Sequence, residues 1–129
     1  MIGLENQLTY FLNTKEIDVY HPDTLEKERA KILDIQTAIS PVYFIETTAQ
    51  RLSATENTEI MTHMGIKSLF DLNPIVDYYP YQKIGKIRTI NGLAPFIVKK
   101  SPIFYHLVYK IITDKPTYFI EINGFLLRS

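Results

Sequence analysis

The amino-acid sequence predicts an α+β fold, a helical N-terminal half packed on a C-terminal antiparallel β-sheet of hairpins. Three observations lead there. Between residues 23 and 64, apolar residues recur three and four apart behind two capping-box motifs. From Lys83 onward, β-branched and aromatic runs are punctuated by Asn-Gly pairs, the pattern of strands and tight turns. Charge changes sign between the same two regions. Residues 1–80 carry six Lys and Arg against twelve Asp and Glu, a net −6, while residues 81–129 carry eight against two, a net +6.

The elements follow in order. A short helix is expected near Leu4–Leu12 and a strand at Ile17–Tyr20. Asp23-Thr24-Leu25-Glu26 reads as a capping box, and Leu25, Ile32, Ile35 and Ile39 behind it fall at helical spacing. Ser40-Pro41 would stop that helix, because proline disfavours helical geometry in the residue before it. Val42–Thr48 is rich in strand formers. A second box, Ser53-Ala54-Thr55-Glu56, opens a predicted helix with Ile60, Met61 and Met64 inward, and Gly65 closes it in a left-handed conformation. Ser68 then caps a single turn through Leu69, Phe70 and Leu72. In the basic half, Lys83–Ile90 and Leu93–Lys99 flank Asn91-Gly92 as a hairpin, with Pro95 confining its strand to an edge or an irregular start. Ile103–Thr113 and Thr117–Ile122 read as a second hairpin around Asp114-Lys115-Pro116. The Ile103–Ile112 run is apolar on both alternating faces, as in a buried central strand or a misread helix. Asn123-Gly124 turns the chain once more before Phe125-Leu126-Leu127. With 129 residues and no linker or repeat, residues 1–129 form one expected domain, acidic and mainly helical over 1–80, basic and mainly strand over 81–129.

Composition excludes several classes of chemistry. There is no cysteine, so disulfides, cysteine-ligated zinc and thiol catalysis are ruled out. No apolar run reaches a membrane span and no basic-plus-apolar leader opens the chain, which points to a cytoplasmic protein without a membrane partner. Phosphate loops, dinucleotide-binding glycine patterns, HExxH and G-x-S-x-G are missing. His21, His63 and His106 are scattered, so neither a metal nor another cofactor is expected. Among the carboxylates, Asp71 and Asp77 lie near the junction of the halves. Glu121 is the sole glutamate of the basic half; it reads as a solvated strand residue paired with Lys110, its alternative being a catalytic acid in a pocket.

The positive charges of the back half form the leading candidate site: Tyr81, Lys83, Lys86, Arg88, Lys99 and Lys100 would converge at the open end of the Asn91-Gly92 hairpin, beside Tyr78 and Tyr79. Cationic side chains release counterions from a nucleic-acid backbone, and exposed rings stack on unpaired bases. Met64-Gly65-Ile66-Lys67-Ser68-Leu69-Phe70-Asp71-Leu72, followed by Tyr78-Tyr79-Pro80-Tyr81, resembles the junction ahead of the OB-fold wedge in RecG-type helicases. That resemblance implies a nucleic-acid-binding barrel downstream. Tyr81-Gln82 stand where the family has arginines, and the helicase motors are missing.

The expected function is accordingly a small non-catalytic binding protein that contacts nucleic acid, or a nucleic-acid-handling complex, through the basic, tyrosine-rich β-region. The alternative is a protein–protein interaction module (adaptor, inhibitor, immunity or virus-encoded accessory protein), self-association of acidic helices against basic sheet included. A third reading is a small-ligand enzyme or binding protein with a sheet cavity lined by Arg88, Tyr105 or Tyr109. All of these compete with internal cancellation, in which the acidic elements lie over the basic strands and neutralise them.

Overall fold

Strands, not helices, build the N-terminal half. The computed structural model describes residues 1–3, 8–47, 50–62, 65–72, 85–89, 92–101, 103 and 105–128, with the backbone alone for 85–89 and 92–97. In chain order the elements are β1 (Ile2–Gly3), α1 (Leu8–Leu12), β2 (Glu16–Tyr20), β3 (Lys27–Ser40), β4 (Tyr43–Glu46), β5 (Arg51–Ala54), β6 (Glu59–Thr62), β7 (Gly65–Ser68), β8 (Gly85–Thr89), β9 (Gly92–Lys100), β10 (His106–Thr113), β11 (Phe119–Ile122) and β12 (Phe125–Arg128). The expected α+β architecture is therefore corrected to a nearly all-β one.

The two predicted long helices fail for identifiable reasons. Residues 27–40 form one fourteen-residue strand, β3. Its pairing with β10 slips at Leu33: Thr113 faces Ile32 while Ile112 faces Asp34. This one-residue bulge puts Ile32 and Ile35, three apart, on the same side of the sheet, where both pack against the core. A bulged strand thus imitates the spacing of a helix. The chain enters β3 through a turn, with His21 N–H donating to the Glu26 carbonyl and Leu25 N–H to that of His21. Leu25 sits there at φ 58°, and His21 Nδ1 accepts from the amides of Asp23 and Thr24. The second capping box is likewise a turn, between β5 and β6, and Leu52, Ala54, Ile60 and Thr62 alternate inward on its two sides. Gly65 does adopt a positive φ, 98°, but in the connection of β6 to β7 rather than at a helix end.

Other expectations hold. Helix α1 and strands β2 and β4 lie where the sequence placed them. Ser68 Oγ accepts the Asp71 amide and opens one turn. Strands β8 and β9 do pair as a hairpin, but Gly92 lies in β9 opposite Thr89 rather than at the centre of the turn. Pro95 lies in the part of β9 that pairs with β8; β4 joins β9 only from Ile97 onward, so the missing proline amide costs no ladder bond on that side. Asn123 (φ 52°) and Gly124 (φ 88°) make the two-residue turn between β11 and β12, both left-handed as a type I′ turn requires. By contrast, β10 and β11 are not a hairpin. Strand β10 lies centrally between β3 and β1, whereas β11 pairs with β2 and β12.

The strand order is β11-β2-β3-β10-β1-β5-β4-β9-β8-β12-β6-β7, and β11 also pairs with β12, so the sheet curls back on itself. Two long strands carry the chain around this curve. Residues 27–31 of β3 pair with β2 and residues 32–40 with β10; β9 divides its partners in the same way between β8 and β4. Tyr109, Phe119, Phe125, Ile45, Leu52, Ile60, Ile122 and Leu127 are fully buried. Each such side chain contributes roughly 1.5–3 kcal/mol of transfer free energy. Among the described residues no helix is long and apolar enough to cross a membrane.

Acidic and basic halves meet in ion pairs. Lys99 Nζ lies 3.4 Å from Glu46, Lys115 Nζ 3.3 Å from Glu28 and Arg128 Nη2 3.3 Å from Glu59. In each of these three pairs a late cation meets an early carboxylate.

Candidate functional site

The turn between β5 and β6 gathers the most concentrated buried polar cluster of the described residues. Thr58 N–H donates to the Thr55 carbonyl at 3.1 Å, so the two threonines occupy the corners of a β-turn and their hydroxyls stand 3.1 Å apart. Thr55 is 6% exposed and Thr58 fully buried. Leu69 and Phe70 close over the turn by donating their amides to the carbonyls of Thr58 and Glu56.

Residue 1 is seated in this turn. Its nitrogen donates to Thr55 Oγ1 at 2.7 Å and to Thr58 Oγ1 at 2.9 Å. Its carbonyl accepts from the Thr55 amide at 2.8 Å and from the Thr58 hydroxyl at 3.1 Å. The Thr55 hydroxyl in turn donates to Asn57 Oδ1 at 2.7 Å. Each hydroxyl therefore accepts from the Met1 nitrogen and donates onward. Strand β1 reaches the turn by pairing Ile2 with Ala54 on one side and with Tyr109 on the other. Burial first, and the positive charge of Lys110 second, push the pKa of the Met1 amine down from 8.0 to about 5.

The other end of the described chain comes to the next residue. Arg128 pairs with Glu59 across the β12–β6 ladder. Its Nε and Nη2 donate to the two carboxylate oxygens of Glu59, each at 3.3 Å, its Nη1 donates to the Thr117 carbonyl at 2.8 Å, and its guanidinium lies 5.1 Å from the Phe119 ring centre. Consecutive residues, Thr58 and Glu59, thus hold Met1 and Arg128. Sequence reasoning missed this cluster because Ser53–Glu56 fits a capping box. The available signal was Thr55-Glu56-Asn57-Thr58, a turn-forming run flanked by period-2 apolar alternation.

The residues singled out from sequence are placed differently. Tyr81 and Lys83, with Tyr78 and Tyr79, lie outside the described residues. Lys86 and Arg88 are two positions apart on β8, opposite Pro95 and Leu93. Lys99 and Lys100 lie four and five residues further along β9, roughly 13–16 Å at strand rise, in the part that pairs with β4. Lys99 is engaged with Glu46 and Lys100 is exposed. The RecG-like stretch divides into strand β7 and the turn after it, and its tyrosine segment lies outside the described residues. Tyr109 is buried against Phe11 while Tyr105 is 78% exposed, so these two do not line one cavity. Glu121 does not reach Lys110 across a hairpin. It lies opposite Leu126, accepts the Gly124 amide at 2.6 Å, and lines a cleft of about 430 Å³ with Tyr10, Phe11, Asp18 and Tyr20. In that cleft burial, aided by Glu121 and Asp18, raises the pKa of Tyr20. Among the described residues no three His, Asp or Glu side chains are grouped to hold a metal ion.

The curled sheet shares its fold with inteins. The structure is similar to the DnaB intein of Synechocystis sp. PCC 6803, with a TM-score of 0.67, 16% identity, and coverage of 94% of this chain and 84% of that one. It is similar to the DnaX mini intein of Spirulina platensis, with a TM-score of 0.65, 19% identity, and coverage of 88% and 81%. It is also similar to a bacterial intein-like domain from Clostridium thermocellum, with a TM-score of 0.63, 12% identity, and coverage of 88% and 80%. No protein-family model and no curated protein matches the chain. At these identities the likeness establishes the fold. The expected non-catalytic binding protein is corrected by this finding: the structural neighbours are inteins, self-splicing protein-processing domains.

Proposed function

We propose that this chain is an intein-like processing domain that acts on a peptide bond made by its own residue-1 nitrogen. The observation that carries the reading is the seating of Met1, its nitrogen 2.7 and 2.9 Å from two buried threonine hydroxyls. The kinship of fold with inteins supports the class of reaction. An acyl group attached to that nitrogen would pass to a nucleophile: the new bond forms at the carbonyl carbon, the carbon–nitrogen bond breaks, and the nucleophile's proton ends on the departing Met1 amine. The Thr58 hydroxyl, in contact with both the nitrogen and the carbonyl of residue 1, stands where it can relay that proton. Residue 1 itself supplies no nucleophile, because a thioether has no acidic proton to lose. The acyl acceptor therefore comes from outside residue 1.

The test fuses a carrier segment ahead of Met1 and follows the intact mass with an added small thiol. Cleavage is expected at the bond preceding Met1 and is lost in Thr58→Val. In Met1→Cys, a thiol on residue 1 can attack the preceding carbonyl, and carrier release by hydroxylamine is expected to be faster. A carrier that stays attached in both the native and the Met1→Cys chains rules the reading out.

A further inference from the structure

The geometry points to Arg128 as a positioning residue: together with Glu59 it fixes the C-terminal end of the chain beside residue 1. This rests on the reading above for its purpose, though not for its test. Three partners hold the guanidinium at once. Glu59 takes a two-pronged pair, the Thr117 carbonyl accepts a third N–H, and the Phe119 ring covers one face. The fork is planar and orients the strand, whereas a lysine would offer only a point charge. Glu59 directly follows Thr58, which grips both backbone polar atoms of residue 1. A single backbone step therefore sets the spacing between the two ends.

The pair contributes little stability, being partly open to solvent, with side chains 20% and 41% exposed. Thr58, in contrast, is fully buried. The bracket has a buried grip on the N-terminal side and a polar, adjustable one on the C-terminal side. That division suits two ends that must be held at one place while one of them changes its bonding.

The chain has no cysteine, so its ends can be labelled without background. One cysteine is placed just ahead of Met1 and one just after Ser129 in short flanking segments, and the two are spin-labelled for distance measurement by dipolar spectroscopy. The native chain is expected to give a narrow distribution. Arg128→Gln and Glu59→Gln are expected to broaden it, because the end is then held by the backbone pairing of β12 with β6 without the side-chain fork, with the β-sheet circular dichroism unchanged. Arg128→Lys keeps the charge and broadens it too, while the double exchange Glu59→Arg with Arg128→Glu narrows it again only in part, because it restores the fork but not the Thr117 and Phe119 contacts. A broad native distribution, or a narrow one in both Gln variants, overturns the assignment. If Arg128→Gln fails to fold, Glu59→Gln and the exchanged pair decide the matter. Because the distance readout needs no turnover, the outcomes separate. Bracketed ends with no cleavage at Met1 sink the processing reading alone, and cleavage with ends indifferent to Arg128 sinks this inference alone.

Discussion

Acidification from pH 8 to pH 5 should destabilise the chain that starts at Met1, through its own amine. The unfolded amine titrates at its ordinary value of 8.0, and in the folded state burial beside Thr55 and Thr58 and the nearby Lys110 push it down to about 5. Between those values the unfolded state carries a proton that the folded state lacks, so stability rises with pH. It is complete above pH 8, falls through the window and levels off below about pH 5. Three pH units at about 1.36 kcal/mol each set a ceiling near 4 kcal/mol, and any loosening of the two-residue strand β1 that lets water reach the amine lowers it. Glu28, whose carboxyl is held low first by the Tyr118 hydroxyl and then by Lys115, loses its partners only at more acid pH, so the two effects separate. The assay is urea unfolding followed by far-ultraviolet circular dichroism at half-unit steps from pH 5 to 9. The comparison is the same chain acetylated at Met1, which has no amine to titrate. The free-amine chain should lose stability relative to the acetylated one as pH falls. Parallel curves, or a slope of opposite sign, would refute the reasoning.

Two further outcomes are expected. Thr58→Val keeps the shape but strips a buried hydroxyl from the nitrogen and carbonyl of Met1, and should cost about 1–3 kcal/mol in urea unfolding. Gly124→Ala and Gly65→Ala should each cost about 1–2 kcal/mol, because both glycines have positive φ. A Cβ at Gly65 meets open space, and the Gln50 amide that a Cβ at Gly124 would meet is the end of a flexible side chain that can swing aside. Unchanged thermal stability in either variant would count against the left-handed backbone at that position.

Parts of this fold were legible because they are decided by adjacent residues. Asn123-Gly124 marks a turn by what its backbone tolerates, and Asn91-Gly92 marks the β8–β9 hairpin only to within a residue, since Gly92 stands in β9 opposite Thr89. Pro95 falls in the stretch of β9 that pairs with β8 and not with β4. The strands around them follow from local alternation. The N-terminal half misled for an equally local reason. The Leu33 bulge shifts the inward set from even to odd positions, so Ile32 and Ile35 stand three apart on one side of the strand and imitate helical spacing, while Ile39 is exposed. Asp23–Glu26 and Ser53–Glu56 carry the residues of capping boxes, and the same short polar side chains make turns equally well when no helix follows. Charge sorting was visible from the outset, yet its meaning depended on which carboxylate met which cation. Glu46 with Lys99, Glu28 with Lys115 and Glu59 with Arg128 supplied that pairing.

By itself, then, the sequence determined where the chain turns in its last third, what chemistry it lacks for want of cysteine, and that its two halves are electrically complementary. The tertiary structure alone decided that Met1 is held by Thr55 and Thr58, 54 and 57 residues away, and that Arg128 is held by Glu59, 69 residues away. Contacts at such separations leave no periodic trace, because they are fixed by which sheet faces must be buried together rather than by the conformational preferences of neighbours along the chain.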